Sequence, residues 1–207
     1  MLTRTFNSKA ANEYEQRRLD SDLMGAVRLS STIQVEVHLS RGANPNATDD
    51  SGMPAIISAA HSRNARHIRA LAKAGADVNT KDKHGKTALM YCVECFAVDA
   101  VDALLECKAD PNIPDNDGNT ALMYTAEFAQ VDMVDRLVKA GADVLILNKD
   151  NESACDLLRK RGTPIKDDLG GVIFDSAEAA RKADDSHNPA LKKDIKAMAP
   201  LRLKSNP

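Results

Sequence analysis

Between residues 85 and 140 the apolar positions fall in short runs at helical spacing, separated by clusters of polar turn residues. Leu89, Cys92 and Val93 make one stripe, and Val101, Leu104 and Leu105 make the next. Leu122, Thr125 and Ala126 are followed by Met133, Val134, Leu137 and Val138. Recurrence at i, i+3 and i+4 predicts amphipathic helices, each too short to stand alone in water. Between the second and third stripes lies KADPNIPDNDGNT (108–120). Its prolines, asparagines and Asp-Gly step suit turns and exclude a continuous helix.

These turns recur. Gly42, Gly75 and Gly141 open GANPN, GADVN and GADVL, and Lys108 opens KADPN in the same frame. Gly52, Gly85 and Gly118 follow ten residues later, with Asn151 in the fourth place, and every step in both series is 33 residues. Asp49, Asp82, Asp115 and Asn148 each precede that second series by three. Asp at the first turn position and Gly at the last predicts a type I turn. Thr87-Ala-Leu-Met, Thr120-Ala-Leu-Met and Ser153-Ala-Cys-Asp come next, and Thr and Ser are good helix N-caps. Each unit therefore predicts a turn, two short helices and a glycine cap.

In its period, in D-x-x-G-x-T-x-L and in G-A-D-V-N, the chain resembles the ankyrin repeat family over residues 19–162. The resemblance implies an all-α solenoid of four to five helix-turn-helix repeats with short hairpin-like turns. The implied organisation is an N-terminal extension (1–18), repeats at 19–48, 49–81, 82–114, 115–147 and 148–162, and a C-terminal tail (163–207), flexible or partner-docking. It also implies a protein-binding scaffold rather than an enzyme. Inner helices and hairpin tips would then line one concave side. Partner contacts are expected beside the tips at Met53, Lys83, His84, Asn116 and Asp117. They are also expected just after the small apolar pair of the inner helices, at His61, Glu94, Cys95, Glu127 and Phe128.

Departures from the family pattern are concentrated at two kinds of position. The family's T-P-L-H reads Pro54-Ala-Ile-Ile or T-A-L-M, so no histidine is left to bond the threonine hydroxyl. Arg63, Phe96 and Ala129 replace the usual glycine between the paired helices, and Lys108 replaces a capping glycine. A left-handed lysine costs about 1 kcal/mol, so the repeat that ends there is expected to be the softest.

Composition narrows the function class. Of 207 residues, 43% are hydrophobic, 28% are charged and only 3% are aromatic. That predicts a thin core of Ala, Leu, Val and Met and disfavours a sandwich or barrel. A net charge of −2 argues against nucleic acid as the main ligand. No apolar stretch reaches the ~20 residues that span a bilayer, and no apolar signal-peptide core opens the chain. An intracellular protein is the expectation, with four reduced thiols, Cys92, Cys95, Cys107 and Cys155.

Charge is uneven. Residues 82–147 carry 12 acidic and 5 basic residues, a net of −7, and four of the seven aromatics, Tyr91, Phe96, Tyr124 and Phe128. Repeat two (49–81) carries a net of +2. A basic partner element with an apolar anchor fits the acidic pair of repeats. Cys92-Val-Glu-Cys95, with Cys107 and His84 nearby, falls short of a closed four-ligand zinc site, and no metal or other cofactor is expected. His61, His67, Arg63, Arg66 and Arg69 read as a solvated outer helix rather than an anion site. Asn79, in a motif on which some ankyrin proteins are hydroxylated, reads as a hairpin asparagine bonding backbone. No P-loop, nucleophile elbow or acid–base pair is present. Three functional classes stay open: a reversible adaptor or inhibitor, a permanent subunit of a large assembly, and an effector delivered into another cell.

Overall fold

The computed structural model describes residues 2–127 and 131–160. Among the described residues it contains nine α-helices. The only extended pairing there is two isolated bridges, Thr48 with Pro54 and Lys81 with Thr87. The chain divides into two compact units, residues 1–109 and 110–207.

The first unit holds α1 (Leu2–Arg28), α2 (Thr32–Ser40), α3 (Ala55–His61), α4 (Ala65–Lys73), α5 (Ala88–Glu94) and α6 (Val98–Glu106). Consecutive helices pair, α1 with α2, α3 with α4 and α5 with α6. Helices α1, α3 and α5 then stack as one layer, and α2, α4 and α6 as the other. In the second unit α7 (Ala121–Glu127) packs on both α8 (Val131–Lys139) and α9 (Ala154–Lys160). Helix α1 begins at Leu2 and so runs through the boundary placed at residue 18. The tail from 163 onward, and Ala129, lie outside the described residues.

Burial follows the predicted stripes. Leu89, Cys92, Val93, Val101 and Leu104 are essentially inaccessible, as are Leu122, Thr125, Ala126 and Leu137. Leu105 and Val138 are only half-buried. With so few large side chains, small residues close the gap between layers: Ala55, Ala59, Ala60, Ala100 and Ala103 have no exposed surface.

The turns form as their sequence demands. The Asp49, Asp82 and Asp115 carbonyls accept from the N–H of Gly52, Gly85 and Gly118 at 2.8, 3.0 and 3.1 Å. Each carboxylate also accepts from the backbone two and four residues on, as at Asp117 and Asn119 for Asp115, both 2.8 Å. Asn148 makes the same two bonds. At Gly118 the requirement is double, because φ is +85° and a Cβ would lie 3.0 Å from Asn148 Cα.

A second set of bonds ties one repeat to the next at two seams. Asn46 donates to the Gly75 carbonyl and accepts from Asp77 N–H at 2.8 Å. Asn112 repeats this on Gly141 and Asp143. At the start of the array no such asparagine exists, and α1 supplies both halves. Gln16 donates to the Gly42 carbonyl, and Asp20 accepts from Asn44 N–H at 2.7 Å.

Two expectations need correction. Thr87 caps α5, accepting from Met90 N–H while Met90 Sδ accepts from Thr87 N–H, both at 3.5 Å. Thr120 Oγ1, by contrast, is buried without a partner among the described residues. With methionine in place of the family's histidine, nothing there receives its hydroxyl. His67 is the other correction. It is not on a solvated face but fully buried on α4, with neither ring nitrogen bonded among the described residues. Positions 100 and 133, one and two periods on, hold buried Ala100 and Met133, so this is a core register occupied by an imidazole.

Burial of that imidazole lowers its pKa below the ordinary histidine value. The native state therefore disfavours the proton that the unfolded chain binds near pH 6.5. The resulting stability is fully present above about pH 6.5 and is lost as pH falls through the lower folded value. His67→Val should stabilise the protein, and by more at pH 5 than at pH 8. Urea melts at the two pH values test this; an equal gain at both would show that titration of His67 is not involved. Leu104→Ala, at a position with no exposed surface, should cost about 2–5 kcal/mol in the same melts.

Candidate functional site

In the first unit α3 and α5, neighbours in one layer, present one polar and aromatic cluster. Helix α3 ends at His61 and α5 carries Tyr91 and Glu94. Stacking of α3 on α5 brings the His61 and Tyr91 rings to 4.2 Å between centroids, tilted by 43°. Lys86, from the turn before α5, sits 5.4 Å from the Tyr91 ring centre and bonds Glu94 Oε1 at 2.6 Å. Tyr91 Oη donates to Asp82 Oδ2 at 2.6 Å. The cluster thus ties the turn aspartate to the end of the inner helix through one ring.

The electrostatics follow from these contacts. Burial raises the Asp82 pKa, but hydrogen bonds from Tyr91 Oη and from the Lys86 and His84 N–H groups outweigh it and hold the carboxyl below its usual range. Burial, then the bond to Asp82, push the Tyr91 phenol well above its usual value. Tyr91 therefore stays protonated and serves as a donor and an apolar face, not as a base.

The other candidate residues fall into place around or apart from this cluster. His61 is exposed, while Met53, Glu94 and Cys95 are half-buried. Lys83 and His84 are exposed at the tip that Asp82 organises. Asn116 and Asp117 are exposed at the equivalent tip of the second unit, where the Asp117 carbonyl accepts from Lys149 N–H at 2.9 Å. Phe128 and the side chain of Glu127 lie outside the described residues. Tyr124 is only 8% exposed, its hydroxyl bonded to Asp115 at 2.6 Å. It belongs to the core of its turn rather than to a contact surface. Glu94, expected above as a partner contact, is ion-paired with Lys86.

Sequence reasoning missed a cleft of about 410 Å³ between α1 and residues 44–50. Arg17, Ser21, Met24 and Arg28 line it from one face of α1, at a spacing of three to four residues. That spacing was readable, but the array was taken to begin after Arg17. Opposite them the Asp49 carboxyl is held low, chiefly by the Ser51 hydroxyl and also by Met53 N–H and Arg28.

The cysteines are free. Cys92 is buried, and burial with the nearby Cys95 pushes its thiol to about 12. A thiolate ligand is therefore costly there. Among the described residues no three His, Cys, Asp or Glu converge as metal ligands. Elemental analysis of the purified chain should find no stoichiometric zinc; one zinc per chain, lost in Cys95→Ser, would overturn this.

No helix among the described residues is long and apolar enough to cross a membrane. A comparison with curated proteins found no match. Two family models do match: ankyrin repeats in three copies over residues 23–115, and ankyrin repeats in many copies over residues 104–158. The period, the turn chemistry and the paired helices agree with them, and the chain belongs to the ankyrin repeat family.

Proposed function

We propose that the chain is a non-catalytic adaptor or inhibitor that grips a partner protein on the inner side of its repeats. Ankyrin repeats are in general protein–protein interaction modules. The observation that supports this location is the His61–Tyr91–Lys86–Glu94 cluster. It offers an aromatic face, an exposed imidazole and a charge pair on adjacent inner helices. Such mixed aromatic and charged surfaces concentrate binding energy.

The partner's contact element is basic with an apolar anchor. Residues 82–147 carry a net of −7, which favours approach of Lys or Arg and sets register more than affinity. A partner cation meets Glu94 by competing with Lys86 for its carboxylate. Steering consequently rests on the net negative charge of residues 82–147 rather than on Glu94 itself. The apolar anchor lies against Tyr91 beside His61.

The test begins with affinity capture of the partner, followed by titration of variants. His61→Ala should weaken binding about tenfold, close to 1.4 kcal/mol, with the melting temperature unchanged, because His61 is exposed. Glu94→Lys should slow association and reduce its salt dependence. Normal binding by both variants would place the contact elsewhere. A chain ending at residue 160 should still bind. Loss of association in that truncated chain would favour a permanent assembly subunit docked through its tail.

A further inference from the structure

One bond between successive tips has no counterpart at the first tip. In the second unit the N–H of Lys149, inside the turn led by Asn148, donates to the Asp117 carbonyl of the tip before it at 2.9 Å. Three periods of 33 residues earlier, the position of Lys149 is that of Asp50. Ahead of Asp50 stands α1 rather than another tip, and α1 supplies only the bonds of Gln16 and Asp20. The N–H groups of Thr48 and Asp50 have no partner among the described residues. Thr48 pairs with Pro54 through the bonds on either side of it, Ala55 N–H to Ala47 and Asp49 N–H to Met53. In that pattern the main-chain groups of Thr48 point away from Pro54. Residues 48–50 are therefore a short open edge.

Thr48 and Asp50 line the cleft of about 410 Å³, and the facing wall is α1. Arg17 and Arg28 stand at the ends of that wall, about 16 Å apart along the helix, with Ser21 between them. Met24 and Ala47, 1% and 5% exposed, are its buried apolar lining. Asp20 and Asp49 also line it, but each commits an oxygen to backbone. Asp20 accepts from Asn44 N–H at 2.7 Å, and Asp49 from Ser51 and Met53 N–H at 2.9 and 3.0 Å. Arg28 attracts Asp49 electrostatically, yet neither arginine makes an ion pair among the described residues. What remains in the cleft is predominantly donors: two guanidinium forks, the Ser21 hydroxyl and two main-chain N–H groups.

We propose that this cleft is a binding site, distinct from the His61–Tyr91 cluster, for an extended acidic segment of another protein. The segment adds as a strand to residues 48–50 and sets carboxylates on Arg17 and Arg28. Its backbone gives the Asp50 N–H a carbonyl, as Asp117 gives one to Lys149. Guanidinium forks match carboxylates in two parallel bonds, which selects acidic over basic side chains. Spacing sets the pattern. Side chains at i and i+4 of a strand share one face about 13 Å apart, and flexible arginines cover the difference from 16 Å. The residue at i+2 lies on the same face, and a small apolar side chain there suits Met24 and Ala47. Edge addition of this kind draws affinity from main-chain bonds and specificity from alternate side chains.

The probe is a blocked, fluorophore-labelled peptide, Thr-Glu-Val-Ala-Val-Glu-Thr, titrated against the full chain by anisotropy. Saturable binding is expected. Arg17→Ala/Arg28→Ala should weaken it at least tenfold at an unchanged melting temperature, since both side chains are exposed. The peptide with Lys for both Glu should bind at least tenfold more weakly, and Arg17→Glu/Arg28→Glu should reverse that preference. Asp50→Pro removes the edge N–H at the second position of a type I turn, where proline is favoured. It should weaken binding at least fivefold, whereas Asp50→Ala, which keeps the N–H, should not weaken it. The arginine variants leave the backbone untouched, so they test the site even where proline disturbs the turn. Failure of the wild-type chain to bind the acidic peptide overturns the proposal, as does equal binding of the two peptides. Equal binding by Asp50→Pro and Asp50→Ala overturns strand addition. Sedimentation showing a dimer that Asp50→Pro dissociates would make the edge an interface between copies and overturn the acidic-segment reading. His61→Ala should leave peptide binding unchanged; loss there would place the peptide on the His61–Tyr91 cluster and overturn the cleft.

Discussion

Short helices of seven and nine residues are marginal on their own, so the fold depends on what fixes one repeat against the next. Side-chain amides and carboxylates on backbone do this. The Asp-led turn sets the shape of each tip, and an asparagine in the tip then reads the following repeat at two points, one carbonyl and one N–H. At both seams the two bonds span 29 and 31 residues, so the spacing of repeats is held by hydrogen-bond geometry as well as by packing. Where the preceding repeat is missing, Gln16 and Asp20 on α1 make the same two bonds from a helix. The thin alanine-rich core can be thin because the stacking is also held from the tips.

The same turn chemistry shapes the inner surface. Asp82 organises its tip with one oxygen and receives Tyr91 with the other. Asp115 does the same with Tyr124. One tyrosine is half-buried beside His61 and Lys86 and forms part of a surface; the other is buried. The difference shows how one residue at one register position serves packing in one repeat and display in another, according to its neighbours.

Much of this was legible in the sequence. The period, the turn aspartates and the apolar stripes each follow from local rules that the structure obeys, and Cys92 was readable as a core residue from its stripe. His67 was misread because it was grouped with nearby arginines by charge. Comparing it with Ala100 and Met133 in the same register would have placed it inside. The acidic character of Glu94 was legible, but its pairing with Lys86 was not, since it depends on a turn folding back over a helix end. Likewise α1 carries no repeat signature, so the role of Gln16 and Asp20 had no periodic mate to reveal it. Arg17 was placed outside the array, and the cleft it lines was missed.

The tips resemble β-hairpins, and a hairpin edge ordinarily invites another strand to add to it, the first step toward aggregation. Here many of the inviting groups are consumed from within. The N–H groups of Ser51, Met53, His84 and Lys86 are bonded to aspartate side chains. That of Asp77 is held by Asn46. Those N–H groups are therefore closed to strand addition. Variation at the tips is left to side chains, which can change without changing the backbone that carries them.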